Sequence, residues 1–254
     1  MAITLAEPSD EFLRVAAGQA AVYRQYAALT AAMPLDSDCG LGGKLVFAGD
    51  LTAGSDLLRA ANIAGAASLA ASDDSVAQRA AMRDGVVDFL VTSLDEALRI
   101  LKNEIRKRQP VSVSIGLPAD EVVLQMLERG VLPDLLPSTA LHEDADRSFL
   151  DLGSRPIPDH AVESYLFWAI EGDFSRWMPR LDACVRESLT ANLQQQRWQQ
   201  FSSRYLGRPA RRLHGVSLDE EDAARLRRVL EELLTSAIAE GEEVPDVSFG
   251  TVAG

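Results

Sequence analysis

GKLVFAGDLTAGSDLL, residues 43–58, is the stretch whose reading decides the fold. LVFA (45–48) is a short apolar run of the kind a buried parallel strand requires, and Leu57 to Ala64 lies in a helix. Between them, AGDLTAG sits where a nucleotide-binding protein places a glycine-rich phosphate loop. Glycines there let the backbone approach a phosphate, and the helix that follows offers unpaired N–H groups at the positive end of its dipole. Only Gly49 and Gly54 are glycines in this loop, and Asp50 adds a negative charge. Whether the loop is a working phosphate cradle or an altered one is the question the sequence poses.

The pattern repeats outward. ASLAA (67–71) is a second strand candidate, followed by Ser72, Asp73 and Asp74 and a helix closed by Gly85. VVDFLV (86–91) is a third. SLDE (93–96) is a capping box, in which Ser93 accepts from the Glu96 N–H while the glutamate reaches back. The helix it opens runs to about Arg108 and ends in basic residues that suit its negative end. VSVSI (111–115), a helix from about Ala119 to Arg129, and PDLL (133–136) complete the series. Such strand–helix alternation implies a parallel sheet covered on both faces, with right-handed crossovers. Ligands of these sheets bind beyond the C-terminal strand ends, at the switch point. The loops that matter are therefore Gly49–Ser55, Ser72–Ser75, Thr92–Ser93, Gly116–Pro118 and Pro137–Asp144.

Residues 9–33 read as a helix capped by Ser9. After Asp146 the alternation stops. Residues 160–172 and 174–206 read as helices, the second with an apolar stripe through Trp177, Leu181, Cys184, Val185, Leu189, Trp198, Phe201 and Tyr205. A second SLDE (217–220) reads as the cap of a last helix ended by Gly241, and the residues beyond it as frayed. The expected fold class is α/β: a Rossmann-like doubly wound parallel sheet with an N-terminal helix and a C-terminal helical segment. The expected ranges are 1–43 for the helix and linker, 44–150 for the Rossmann-like domain, and 151–254 for the helical segment packing on it or on a dimer partner.

Hydrophobic residues make up 47% of the 254 and charged residues 25%, as a soluble domain with a real core requires. The formal net charge of −13 repels phosphate backbones over most of the surface, which argues against nucleic acid as a partner. The local exception, RYLGRPARRLHG (204–215), reads as a solvated or dimer-facing loop rather than an anion site. No signal peptide is read at MAITLAEPSDE, and Ala60–Ala71 is too short for a bilayer, which needs about 20 apolar residues. Cys39 and Cys184 make no disulfide framework, so the expected compartment is the reducing cytoplasm, without a membrane.

Residues 43–101, GKLVFAGDLTAGSDLL through SLDEALRIL, resemble the NAD-binding domain of urocanase (urocanate hydratase). That family shows a GK-led strand, a glycine-rich loop, a strand ending in an acidic pair and a helix opened by SLDEAL. VSVSIGLPADEVVLQMLERGVLPDLL (111–136) looks like the family's SIGL segment followed by a helix and its RG…PD turn. HED (142–144) stands near the family's His–Asp turn, GQAAVYRQYAAL (18–29) resembles its GTQG-containing helix, and DACVRESLTANLQQQRW (182–198) is similar in placement to the helix leading back to its core. The resemblance spans about residues 17–200 and implies NAD as cofactor, held by Gly49, Thr52, Gly54, Ser55 and Asp73. Two departures bear on that implication. The family's loop is close to GLGGMGGA, where this chain has GDLTAGSD: Leu51, Thr52, Ala53 and Ser55 narrow the approach, and Asp50 and Asp56 repel phosphate, while Thr52 and Ser55 offer hydroxyl donors. No counterpart of the family's substrate-positioning core is visible either, so urocanate hydration by this chain alone is not expected.

Asp73 sits where a ribose-binding carboxylate belongs, yet Asp73 and Asp74 are equally a helix-capping pair, and one can cap while the other reads a ribose. His142, Glu143, Asp144 and Asp146 match no recognised metal-ligand spacing and read as a solvated loop. His160 and His214 commit to no triad, Cys39 has no nearby cation to activate it, and Cys184 reads as core. Three function classes follow. One is a binding module holding NAD or a smaller nucleotide between Gly49–Ser55 and Asp73. Another is a non-catalytic interaction protein that kept the fold, lost the cofactor and forms a homodimer through its C-terminal helices. The third is a small enzyme with a repurposed crevice where Asp50, Thr52, Asp73 and His142 converge on a small-molecule ligand.

Overall fold

The computed structural model describes residues 6–137, 143–162, 164–189 and 192–253. The chain divides into two compact units: Gln25–His160 is one, and the N-terminal residues through Arg24 join Ala161–Gly254 in the other. The boundary falls inside α1 (Asp10–Ala32).

In the first unit strands and helices alternate: β1 (Leu45–Asp50), α2 (Ser55–Ala64), β2 (Ala67–Ala71), α3 (Ser75–Arg83), β3 (Phe89–Val91), α4 (Leu94–Lys107), β4 (Val111–Ile115), α5 (Ala119–Glu128), β5 (Leu135–Pro137), α6 (Glu143–Asp151) and β6 (Arg155–Ile157). All six strands are parallel, in the order β3-β4-β2-β1-β5-β6. The central strands β2 and β4 are buried along their whole length, which is why ASLAA and VSVSI lack polar alternation beyond small serines. One face packs Leu45, Phe47, Leu69, Val113 and Ile115 against Leu94, Leu101, Val122, Met126 and Phe149 of α4, α5 and α6. The opposite face carries a polar seam, where Asn62 of α2 donates to Ser112 Oγ (3.2 Å) and Gln78 of α3 donates to Ser114 Oγ (3.4 Å). Ser112 in turn donates to Asp88 Oδ2 at 2.9 Å, so the strand's hydroxyls are engaged rather than orphaned.

Local chemistry sets the element ends. Ser93 caps α4 by accepting from the Glu96 N–H at 3.3 Å, as its sequence requires. The returning Glu96 carboxylate takes the N–H and hydroxyl of Thr92 (2.9 and 3.1 Å), one residue earlier than a capping box places it. Those two donors hold its carboxyl below the usual glutamate range.

The second unit departs from the expected run of helices. Among the described residues of 160–172 there is no helix: Tyr165–Ile170 forms β7, buried throughout. The expected 174–206 helix is two, α7 (Trp177–Ser188) and α8 (Leu193–Tyr205), the second capped by Asn192. A 3-10 turn at Arg208–Arg211 leads into β8 (Leu213–Ser217), so part of the basic run is strand. The cap of α9 (Glu220–Ala239) is Asp219, which accepts from the Asp222 N–H at 2.7 Å, rather than Ser217, which ends β8. The residues expected to fray form β9 (Val247–Val252). These strands make an antiparallel sheet ordered β8-β7-β9. Its glycines admit aromatic rings, since a Cβ at Gly215 would meet the Tyr165 ring and one at Gly250 the Phe167 ring.

Both edges of this sheet are protected. On β8 the carbonyls of Leu213, Gly215 and Ser217 accept from side chains of Gln19, Trp198 and Gln199, and Gln195. On β9 the Ser248 position pairs with Ala6, and Pro8 lies beside Gly250. Cover of this kind blunts an edge against pairing with further strands. Among the described residues no helix is long and apolar enough to cross a membrane.

Candidate functional site

The chain path reverses at β1. From β1 the connection through α2 runs to β2 on one side, whereas β5 returns to the other side of β1. That is the topological switch point, and the loop leaving β1 lines it. His142, expected to converge on this crevice, lies outside the described residues.

The β1–α2 loop is built from four cooperating residues. Gly49 takes a positive φ of 73° at the place where the β1–β2 register shifts, between Phe47 and Asp50. Leu51 then turns inward, 2% exposed, with its N–H on Ala71 O at 2.9 Å. Gly54 is buried against β1: a Cβ there would sit 2.6 Å from Ala48 O and 2.9 Å from both Ala48 Cβ and Asp50 O. It is therefore required for close packing of helix on strand.

The fourth residue is Asp50, whose exposed side chain closes the loop on itself. Its Oδ1 accepts from the N–H groups of Thr52 (2.9 Å) and Ala53 (3.2 Å), and its carbonyl accepts from the Gly54 N–H (2.8 Å). Three consecutive amides, the donors a phosphate would seek, are engaged by one aspartate. Thr52 is exposed and its hydroxyl has no partner among the described residues. Ser55, half-buried, begins α2, which has no side-chain cap and carries Asp56 in its first turn.

At the end of β2 the aspartate pair divides its roles. Asp74 caps α3, accepting from Val76 N–H (2.7 Å) and Ala77 N–H (3.2 Å). Asp73 is exposed and has no partner among the described residues. Since Asp50 pairs with Ala71 across β1 and β2, Asp73 and the β1–α2 loop leave the sheet at neighbouring strand ends.

Other candidates stand apart. Cys39 donates to Asp36 Oδ1 at 3.4 Å in its own turn, where backbone N–H groups of Cys39 and Asp38 hold the Asp36 carboxyl below its usual range. Burial, then Glu187, pushes the half-buried Cys184 thiol up, away from reactivity. His160 lies between β6 and β7 without a helix to start. In the second unit His214 Nδ1 lies 2.8 and 2.9 Å from the two carboxylate oxygens of Asp182, and Trp168 Nε1 donates to Asp182 Oδ1 at 3.3 Å. Sequence reading placed His214 in a loop, and nothing local betrays a partner 32 residues away. No group of three or more metal-ligating side chains occurs among the described residues.

Strand order, switch point and a strand–loop–helix junction at β1 define this unit as a Rossmann-like domain of the doubly wound class. A family model for the urocanase Rossmann-like domain matches residues 22–150, just over half of the chain. The chain belongs to the urocanase family, whose Rossmann-like domain binds NAD. The loop present here does not fit a dinucleotide diphosphate. Its amides already hold a carboxylate, and a phosphate placed there meets the Asp50 charge.

Proposed function

We propose that this chain is a urocanase-family module that takes no NAD at its first loop and acts as a non-catalytic binding or interaction protein. The observation that supports this reading is the Asp50 carboxylate on the amides of Thr52 and Ala53. In a dinucleotide-binding loop those donors, together with the helix N-terminus, stabilise the pyrophosphate. Here they are satisfied within the chain, and binding a diphosphate requires breaking two charge-assisted bonds and bringing like charges together. Free thiols at Cys39 and Cys184 accord with a reducing compartment, the cytoplasm in this reading.

One observation favours a second reading. With Asp74 committed to capping, Asp73 keeps its carboxylate for a ligand, and a ribose diol is what an acidic side chain at this strand end accepts from. A nucleoside without phosphate satisfies Asp73 and avoids Asp50.

Calorimetric titration of the protein with NAD, AMP and adenosine separates the readings. The first expects no saturable heat at millimolar concentration with any of the three. The second expects adenosine to saturate, AMP to bind more weakly, and Asp73→Ala to abolish the adenosine signal. Saturable NAD binding by the unaltered chain would overturn both.

A further inference from the structure

The β1–α2 loop contains both an array of anion-binding amides and an anion that occupies it. We propose that Asp50 is an intramolecular ligand of this array and the residue that sets the loop's specificity against phosphates. This rests on the reading that the loop takes no dinucleotide, and it names the side chain responsible.

The loop's course depends on contacts other than the Asp50 carboxylate. Leu51 N–H is fixed on Ala71 O, Gly54 N–H on the Asp50 carbonyl, and Leu58 N–H on Gly54 O; all three are main-chain bonds. Gly54 is seated against Ala48 by close packing, and Leu51 is anchored in the core. Truncating the exposed Asp50 side chain touches none of these. What it releases is the pair of N–H groups at Thr52 and Ala53, which keep their direction because the main chain holds them.

A carboxylate and a phosphate oxygen compete for such donors on equal chemical terms, as acceptors of charge-assisted hydrogen bonds. Asp50 wins through tethering: it belongs to the loop, so its effective concentration there is that of an intramolecular ligand, in the millimolar range or above. A free phosphate must displace it and then sit beside its charge. The donors being occupied is thus the primary cause of exclusion, and charge is secondary. Asp56, in the first turn of α2, stays in either case and limits the affinity an opened loop can reach.

The test is titration with inorganic phosphate, followed by phosphorus NMR line width and by calorimetry, on the unaltered chain, Asp50→Ala and Asp50→Asn at equal ionic strength. Asp50→Ala is expected to bind phosphate at least about tenfold more tightly than the unaltered chain, the ratio for losing one competing bond to a charged group. Asp50→Asn is expected to fall between the two and nearer the unaltered chain, because its Oδ1 still accepts from the same two amides while the charge is lost. Circular dichroism checks the fold of each, and Asp50→Gly carries the same comparison if the alanine variant is unfolded. Phosphate binding by Asp50→Ala no tighter than by the unaltered chain would overturn the proposal, even where NAD still fails to bind. Equal gains in Asp50→Ala and Asp50→Asn would also overturn it, since charge rather than occupied donors would then exclude the anion. Saturable NAD binding by the unaltered chain would instead sink the underlying reading.

Discussion

Trp198→Ala is expected to destabilise the second unit by about 4 kcal/mol, the usual cost of emptying an indole from a core that cannot collapse around the void. Trp198 is fully buried. Its ring stands edge-on to Tyr23, with centroids 4.8 Å apart and planes at 76°, and edge-on to Tyr165 at 6.3 Å. Its Nε1 donates to Gly215 O at 2.8 Å. The truncation therefore removes apolar contact, two aromatic pairs and one of two side-chain donors on an edge carbonyl; Gln199 is left as the other. Burial around this cluster is deep enough to push the phenols of Tyr23 and Tyr165 above the usual tyrosine range. Urea unfolding monitored by near-ultraviolet circular dichroism measures the loss. A change under about 1 kcal/mol would mean that the ring is not the packing centre described here.

Gly54→Ala has the next largest expected effect, about 2–3 kcal/mol, and it falls on the loop itself. The φ of Gly54 is −88°, a value open to any residue, so the penalty is purely steric. The atoms a Cβ meets are main-chain oxygens of Ala48 and Asp50 as well as the Ala48 Cβ, none of which can rotate away. Relief requires α2 to move off β1, which shifts the Thr52 and Ala53 amides relative to Asp50. Thermal unfolding should show the midpoint fall, while the half-exposed Ser55→Ala next to it should change stability by less than about 0.5 kcal/mol. Equal behaviour of the two variants would show that helix and strand are not in close contact at Gly54.

The first unit was legible because its signals are local and agree with one another. Apolar runs at 45–48, 67–71 and 111–115, the stop at Gly85 and the Ser93 cap each point to parallel strands joined by helices. Asp73 and Asp74 are indistinguishable as caps in the sequence, since either carboxylate can take the role, and the geometry assigns it to Asp74. Asp50 was legible as a charge but not as a hydrogen-bond acceptor for its own loop, because that depends on Gly49 turning the chain. The second unit was misread for a physical reason: YLFWAI at 165–170 is a fully buried run without polar alternation, and a run this short fits helix and strand alike, although Gly172 and Asp173 just beyond it mark a turn. Its partners β8 and β9 lie about 50 and 80 residues further along the chain and depend on long-range pairing that no window reveals.

Exclusion of NAD turns on where the Asp50 carboxylate sits, and a crystal structure grown with millimolar NAD examines that atom directly. The expected result is Asp50 Oδ1 on the amides of Thr52 and Ala53, with no diphosphate at the loop. A diphosphate on those amides, with Asp50 turned into solvent, would contradict the account.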